Sequence, residues 1–482
     1  MNAVGSRADH ARTETYLRLR AEAELRRVLA LPRDDAANGG GEADAEAEAE
    51  AEELTAEHGL RRHSEVAQAL AQVGAIDRGV ADSVTEELAA ALFARSWVGA
   101  GDMADVLRPE RHGQPARPPA GPYLAVPVGI TVPGGPGSGL AEVQLFALVI
   151  APDRAILTAA GRLRNPSRRP MRGRRSHHVG LPFDGPETPT GTDDRGNSYT
   201  MYADSSSSDG DGNWTCLLSL SPIPQPGARW LELTMSPGSP PVRVDLASHG
   251  AGGGPAPGPA AAAGAAERMV DTVAHGLLHA SLTYPDDDVS WYDLSEIADI
   301  VTALDTVGAL GAARGAVGRL VTLAGRLRMR IPPALSAVAQ PAGLPAPWQN
   351  ILENRDRGDG PTGLAPAAAV LPEIGGTRFV LAGMRSGEAG AVLQALAWGV
   401  PQPPQFTFFT DAAKQWSWTA RDDKGRWHVA TESSGSSSDR HADMELELVP
   451  ALHPDARSLE VTVSGPSGQV SATVPLDWWS EQ

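Results

Sequence analysis

Apolar positions along this chain change period more than once. Leu17, Leu25 and Val28 recur at helical spacing between Glu14 and Leu31, as do Val66, Leu70 and Val73, after which Gly74 ends the run. Asp77 is placed to cap a second helix whose apolar face is Val80, Val84, Leu88, Ala91 and Leu92. The arrangement returns later. Met269 to Leu282 carries Val270, Val273, Leu277 and Leu278, followed by Ile300, Leu304 and Val307, then Val317, Leu320, Val321, Ala324 and Leu327. Amphipathic helices this short are marginal alone, so the pattern predicts two three-helix units, most economically packed on each other.

Elsewhere the period is two. Val143, Leu145, Ala147 and Val149 point one way, a turn at Ala151-Pro152-Asp153-Arg154 follows, and Ile156, Thr158 and Ala160 begin a returning strand. In the later half, Phe379, Leu381 and Gly383 share one face, and Val392, Gln394 and Leu396 share another that the polar Gln394 interrupts. Asp193-Asp194-Arg195-Gly196 and Asp422-Asp423-Lys424-Gly425 are turn signatures, because Asp bonds its own backbone and Gly supplies positive φ. The strand after the turn carries Tyr199 in one half and Trp427 in the other. Six or seven short strands per half, with turns every ~8–12 residues, predict a β-sandwich.

The halves are related in sequence. EVAQALAQVGAI (65–76) matches DIVTALDTVGAL (299–310), AILTAAGRL (155–163) matches AVLQALAWG (391–399), DDRGNSY (193–199) matches DDKGRWH (422–428), and ARWLELTMS (228–236) matches ARSLEVTVS (456–464). These matches are collinear, with offsets between 228 and 236, which indicates a tandem duplication. The expected fold is α+β, a tandem duplication of a helical hairpin plus an immunoglobulin-like antiparallel β-sandwich. Its expected parts are an N-terminal helix with an acidic disordered tract (1–59), a first hairpin (60–106), a first sandwich (120–248), a Gly/Pro/Ala linker (249–266), a second helical segment (267–330) and a second sandwich (365–482).

The β halves resemble bacterial immunoglobulin-like sandwich domains with a D-D-x-G-x-x-Y turn and strand, then a proline turn and an L-x-L strand. The residues that carry the resemblance are Asp193, Asp194, Gly196 and Tyr199 with Leu231 and Leu233, and Asp422, Asp423 and Gly425 with Leu459 and Val461. In the second copy His428 stands at the Tyr position and Trp427 falls one residue short of it. The resemblance implies a binding or scaffolding role and names no ligand.

Composition narrows the picture. The chain of 482 residues holds 52 Gly and 40 Pro, which rules out continuous helix. Its net charge of −18 repels a phosphate backbone, so general nucleic-acid binding is disfavoured. Part of that charge is local, since Glu42 to Glu53 alternates acid with Ala and holds seven acids. Cys216 is the single cysteine, which excludes an intramolecular disulfide and a Cys-based zinc site. With no apolar leader and no long apolar run, the expectation is a cytoplasmic protein with no membrane contact.

Candidate chemistry is sparse. The run at 134–139, GGPGSG, lacks the GK[ST] ending of a phosphate loop, and no G-x-S-x-G elbow is present. His275 and His279 share a helix face, but Gly276 stands where a zincin needs Glu, so they read as partly buried histidines, with no metal and no cofactor expected. Asp209, Asp211 and Asn213 alternate like a fragment of a calcium loop but lack the closing Glu and read as a turn. Seven arginines fall between residues 162 and 175, and of these Arg168, Arg169, Arg172, Arg174 and Arg175 adjoin His177 and His178. This stretch reads as a solvated loop, a docking patch for an acidic protein, or a phosphate contact. The matching stretch of the second copy has no arginine but crowds Phe406, Phe408, Phe409, Trp416 and Trp418, which read as sandwich core or as an exposed platform for a glycan or peptide.

Together these features favour a non-enzymatic interaction, scaffold or regulatory protein whose partner is another protein. The binding candidates are Arg168, Arg169, Arg172, Arg174, Arg175, His177, His178, Trp416 and Trp418. Two alternatives stand beside it. One is an enzyme with a site at the cleft between copies, using His177 or His178 with an Asp of the DDRG turn. The other is an anionic-ligand or nucleic-acid binder acting through residues 162–175. Oligomeric state is left open.

Overall fold

A computed structural model of the chain describes residues 7–30, 62–96, 118–135, 139–164, 188–208, 213–225, 227–247, 264–283, 294–355, 360–361, 363–387, 390–399, 416–437, 441–465 and 468–477. Three helices precede the first set of strands: α1 (Arg7–Ala30), α2 (62–72) and α3 (Arg78–Ser96). Five more precede the second: α4 (Ala265–Thr283), α5 (Ser295–Thr306), α6 (Arg314–Arg326), α7 (Pro333–Val338) and α8 (Ala346–Glu353). Helices of both copies bury their apolar faces in one shared core, which includes Leu17, Leu70, Leu88, Leu277, Leu304 and Leu320. Gly74 and Gly308, at φ of +73° and +74°, end α2 and α5 alike. The amide after each glycine, that of Ala75 or Ala309, bonds the carbonyl of Leu70 or Leu304, which satisfies the helix end.

The strands of the first copy are β1 (Leu124–Pro133), β2 (Leu140–Ile150), β3 (Ala155–Leu163), β4 (Thr190–Asp193), β5 (Ser198–Ser208), β6 (Asn213–Ser221), β7 (Trp230–Thr234) and β8 (Val242–Asp245). Those of the second are β9 (Gly363–Val370), β10 (Arg378–Gly387), β11 (Gly390–Trp398), β12 (Ser417–Asp422), β13 (Trp427–Ser437), β14 (His441–Val449), β15 (Ser458–Gly465) and β16 (Gly468–Pro475). The hydrogen-bonded order is β1-β2-β3-β6-β5-β4-β7-β8 in one sheet, and the second sheet repeats it strand for strand.

This order corrects the immunoglobulin-like sandwich. A sandwich divides its strands between two facing sheets, whereas here β3 pairs with β6, and β11 with β14, so all eight strands of each copy join one antiparallel sheet. The sheets curl 310° and 268° round an axis and nearly close into barrels. Edge strands β9 and β16 approach each other, as do β1 and β8, without a ladder joining them. The duplicated helix-rich plus β architecture holds, and the resemblance to immunoglobulin-like domains does not. Short alternating strands with frequent turns are common to sandwiches and barrels, and only the pairing separates them.

A second correction concerns faces. Leu145 and Leu148 both line the core of the first barrel, because a bulge at Phe146 shifts the register against β3. Ala147 and Val149 therefore turn outward, where they join Phe146, Ile156 and Ala160 in an apolar cluster shared with Val380, Ala382, Leu396 and Trp398 of the second barrel. The two barrels thus meet side by side, and β2 and β3 are apolar on both faces for that reason. Thr158 reinforces the join, its hydroxyl 2.6 Å from the carbonyl oxygen of Ala382.

Candidate functional site

The Asp-Asp-x-Gly turns were the motif shared by both copies, and each is a saturated structural tie. At the end of β4, Asp193 Oδ1 accepts the backbone amides of Arg195 and Asn197, each at 2.9 Å. Its Oδ2 accepts the Asn197 side-chain amide at 2.8 Å and the Tyr199 hydroxyl at 2.7 Å. Burial alone would raise the Asp193 pKa, but the bonds from Asn197, Tyr199 and the backbone outweigh it and hold the value at about 2. Burial, with Asp193 beside it, pushes Tyr199 up to about 12. The neighbouring Asp194 accepts the amide of Arg229 and so fastens this turn to the start of β7.

The second copy builds the same tie with other chemistry. Asp422 accepts the amides of Lys424, Arg426 and His453, and His428 Nε2 lies 3.6 Å from its Oδ2. Burial works against its charge, yet these contacts pull Asp422 down to about 2. His428 is buried and its Nδ1 lies 2.8 Å from the Pro450 carbonyl. His428, not Trp427, is therefore the counterpart of Tyr199. The sequence spacing gave that register already. Four donors thus already occupy the Asp193 carboxylate.

The arginine-rich stretch enters at Arg164, the last described residue after β3. Its guanidinium donates to the carbonyls of Leu140, Gly134 and Gly135 at 2.6, 2.8 and 3.3 Å. Gly135 is in turn bonded by its amide to Ser236 Oγ at 3.0 Å. A Cβ on Gly134 would stand 2.0 Å from Leu140 O, and one on Gly135 2.4 Å from Pro237 O. Gly134 and Gly135 thus let three connections close on one rim of the first barrel. Arg168, Arg169, Arg172, Arg174, Arg175, His177 and His178 lie outside the described residues, as do Asp209 and Asp211.

In the second barrel, Trp416 and Trp418 both meet Phe379 edge-on, with ring centroids 5.1 and 5.2 Å apart, and Trp418 is buried in the barrel core. Phe406, Phe408 and Phe409 lie outside the described residues.

The junction between copies carries a polar rim that sequence reading missed. Arg154 Nη1 contacts the His441 ring at 2.6 and 2.9 Å and Asp204 at 3.6 Å, while Asp204 also meets Ser219. Thr215 reaches Glu445 at 3.3 Å, and His279 of α4 lies 3.7 Å from Glu447. Burial, and then Arg154, lowers the His441 pKa, and burial raises that of Glu447. The alternation of His441, Asp443, Glu445 and Glu447 along β14 was the available signal, since it sets four polar groups on the outer face. His275, the other half of the histidine pair, accepts the Trp348 indole N–H at 3.1 Å, and burial drives its pKa down to about 4. Among the described residues no group of three or more His, Cys, Asp or Glu is placed to hold a metal ion. The Cys216 thiol is buried, its Sγ 3.5 Å from the Leu217 carbonyl oxygen.

What this geometry accomplishes chemically is fastening, since the described titratable clusters tie turns, barrels and helices together. Comparison with protein-family models, with curated proteins and with solved structures returns no match for this chain.

Proposed function

We propose that the chain is a non-enzymatic interaction or scaffold protein of the cytoplasm, and that the arginine-rich connection between β3 and β4 docks an acidic protein partner. The observation that carries this reading is an asymmetry between otherwise matching barrels. The first barrel inserts Arg168, Arg169, Arg172, Arg174, Arg175, His177 and His178 between strands that the second barrel joins with an arginine-free segment. A barrel therefore does not need these charges to fold, and Arg164 fastens the root of the insertion to its rim. The duplicated architecture and the saturated turn aspartates also support a non-catalytic role. No described helix is long and apolar enough to cross a membrane. A chain with a single cysteine, which can form no internal disulfide, suits a reducing compartment.

The test is affinity capture from native cells with full-length protein, beside the variant carrying Arg168→Ser, Arg169→Ser, Arg172→Ser, Arg174→Ser and Arg175→Ser. The expected result is an acidic partner that is lost from the variant and whose retention falls as salt rises. Unchanged partners and unchanged salt dependence would overturn the reading. A mixed-sequence oligonucleotide bound by the wild type and not by the variant would replace it with the anionic-ligand alternative.

A further inference from the structure

The contact between the barrels has a symmetry that the duplication by itself does not require. At one offset of 236, Leu145, Phe146, Ala147 and Leu148 of β2 correspond to Leu381, Ala382, Gly383 and Met384 of β10. Leu157, Thr158 and Ala159 of β3 likewise correspond to Leu393, Gln394 and Ala395 of β11. The register pairs agree: Leu145 pairs with Ala159 and Ala147 with Thr158, as Leu381 pairs with Ala395 and Gly383 with Gln394. Both barrels thus place their bulge at the same residue, Phe146 in one and Ala382 in the other.

These equivalent surfaces face each other. Strand β1 touches β9, and β2 touches β10, so each strand meets its own counterpart. The cross pairs are also reciprocal, with β2 touching β9 and β1 touching β10. Contacts in which i meets j and the counterpart of j meets the counterpart of i are the signature of a two-fold interface. The shared cluster contains both members of two equivalent pairs, Phe146 with Ala382 and Ala160 with Leu396. Its centre is close-packed, because a Cβ on Gly383 would lie 2.8 Å from Phe146 Cβ. An apolar centre bounded by a polar rim at Arg154–His441 and Thr215–Glu445 has the anatomy of a permanent subunit interface.

We propose that this face is an isologous dimer interface held within one chain, so that the partner it fits is a second barrel of this same type. Two-fold geometry makes a specific demand. Because Phe146 rests over Gly383, a Phe at position 382 has to rest over residue 147, where Ala147 supplies the Cβ that Gly383 lacks.

The test exchanges the two sides in the full chain. Ala382→Phe alone meets Ala147 and is expected to lower the thermal unfolding midpoint by about 5 °C, an overpacking effect. The threefold exchange Phe146→Ala, Ala147→Gly and Ala382→Phe turns the interface round its axis, with Gly383 kept because its φ of +137° strains any side chain, and is expected to return the midpoint to within about 2 °C of wild type. If the exchange fails to fold, the milder Ala382→Leu, alone and with Ala147→Gly, asks the same question, and the glycine is expected to restore the loss. The proposal is overturned if Ala382→Phe is harmless, if the folded exchange is no more stable than Ala382→Phe, or if Ala147→Gly leaves Ala382→Leu unrelieved.

Discussion

The two barrels share a strand order, a bulge and a turn, yet they treat the same outer face in opposite ways. On the second barrel, Trp427, Val429 and Val449 belong to the helical core, and α4 and α8 lie against β13. On the first, the corresponding positions are Ser198, Thr200 and Ser221, and Tyr202 nearby is 56% exposed. The interior needs apolar residues in both barrels, whatever lies outside. The outer face needs them only where another layer covers it. Three substitutions therefore separate a surface that holds the helices from one that stands open, within a single fold.

The largest effect that tests this contrast is at Val429, which is fully buried between the helices and the second barrel. Val429→Asp strands an unpaired carboxylate there and is expected to cost about 3–5 kcal/mol in urea unfolding. The counterpart Thr200→Asp is expected to change stability by less than about 1 kcal/mol. Similar losses at both sites would break the comparison.

Next are the turn aspartates, where the barrels agree. Asp193→Asn removes an ionised acceptor from Asn197, Tyr199 and two backbone amides, an expected loss of about 2 kcal/mol at neutral pH. The acid dependence follows from the depressed pKa. A carboxyl held at about 2 in the folded chain, against an ordinary 3.8, stabilises fully above the higher value. That stabilisation is lost as pH falls through about 2. Unfolding followed from pH 5 to pH 2 should therefore show less acid sensitivity in Asp193→Asn, and an unchanged profile would contradict the assignment. Asp422→Asn should behave likewise, since Asp422 is also held at about 2.

A smaller effect separates the barrels again. Arg164→Ala releases the Gly134, Gly135 and Leu140 carbonyls and is expected to cost about 1 kcal/mol. Hydrogen exchange should quicken at the amide of Gly135 and leave the β9–β10 connection unchanged. The smallest expected effect is that of the five arginine-to-serine substitutions on stability, within about 0.5 kcal/mol of wild type. A large loss there would mean that the loop serves the fold and not a partner.

Much of the local structure was readable along the chain. Gly74 marked a helix end because a left-handed residue there is easiest for glycine, Gly308 is its match in the repeat, and the Asp-Asp-x-Gly turns were legible because Asp and Gly meet their geometry. The outer face of β2 was misread for an equally physical reason. Alternation assumes an unbroken pleat, and one extra residue at Phe146 moves every later side chain to the other face. Of the candidate residues, Trp416 and Trp418 were legible only as aromatics on a strand. Their packing on Phe379 depends on a residue almost forty positions away in the chain.

The sequence alone determined the duplication, the order of helical and extended parts, and the chemistry of the turns, because each rests on spacing or on the preference of one or a few neighbouring residues. The tertiary structure alone decided that each copy forms one curled sheet and not two facing ones. A strand's alternation records which of its faces is apolar, and it carries no record of which distant strand takes its hydrogen bonds. The pairing of β3 with β6, across more than fifty residues, made the barrel. The meeting of two barrels gave the apolar residues on the outside of β2 and β3 a surface to cover them.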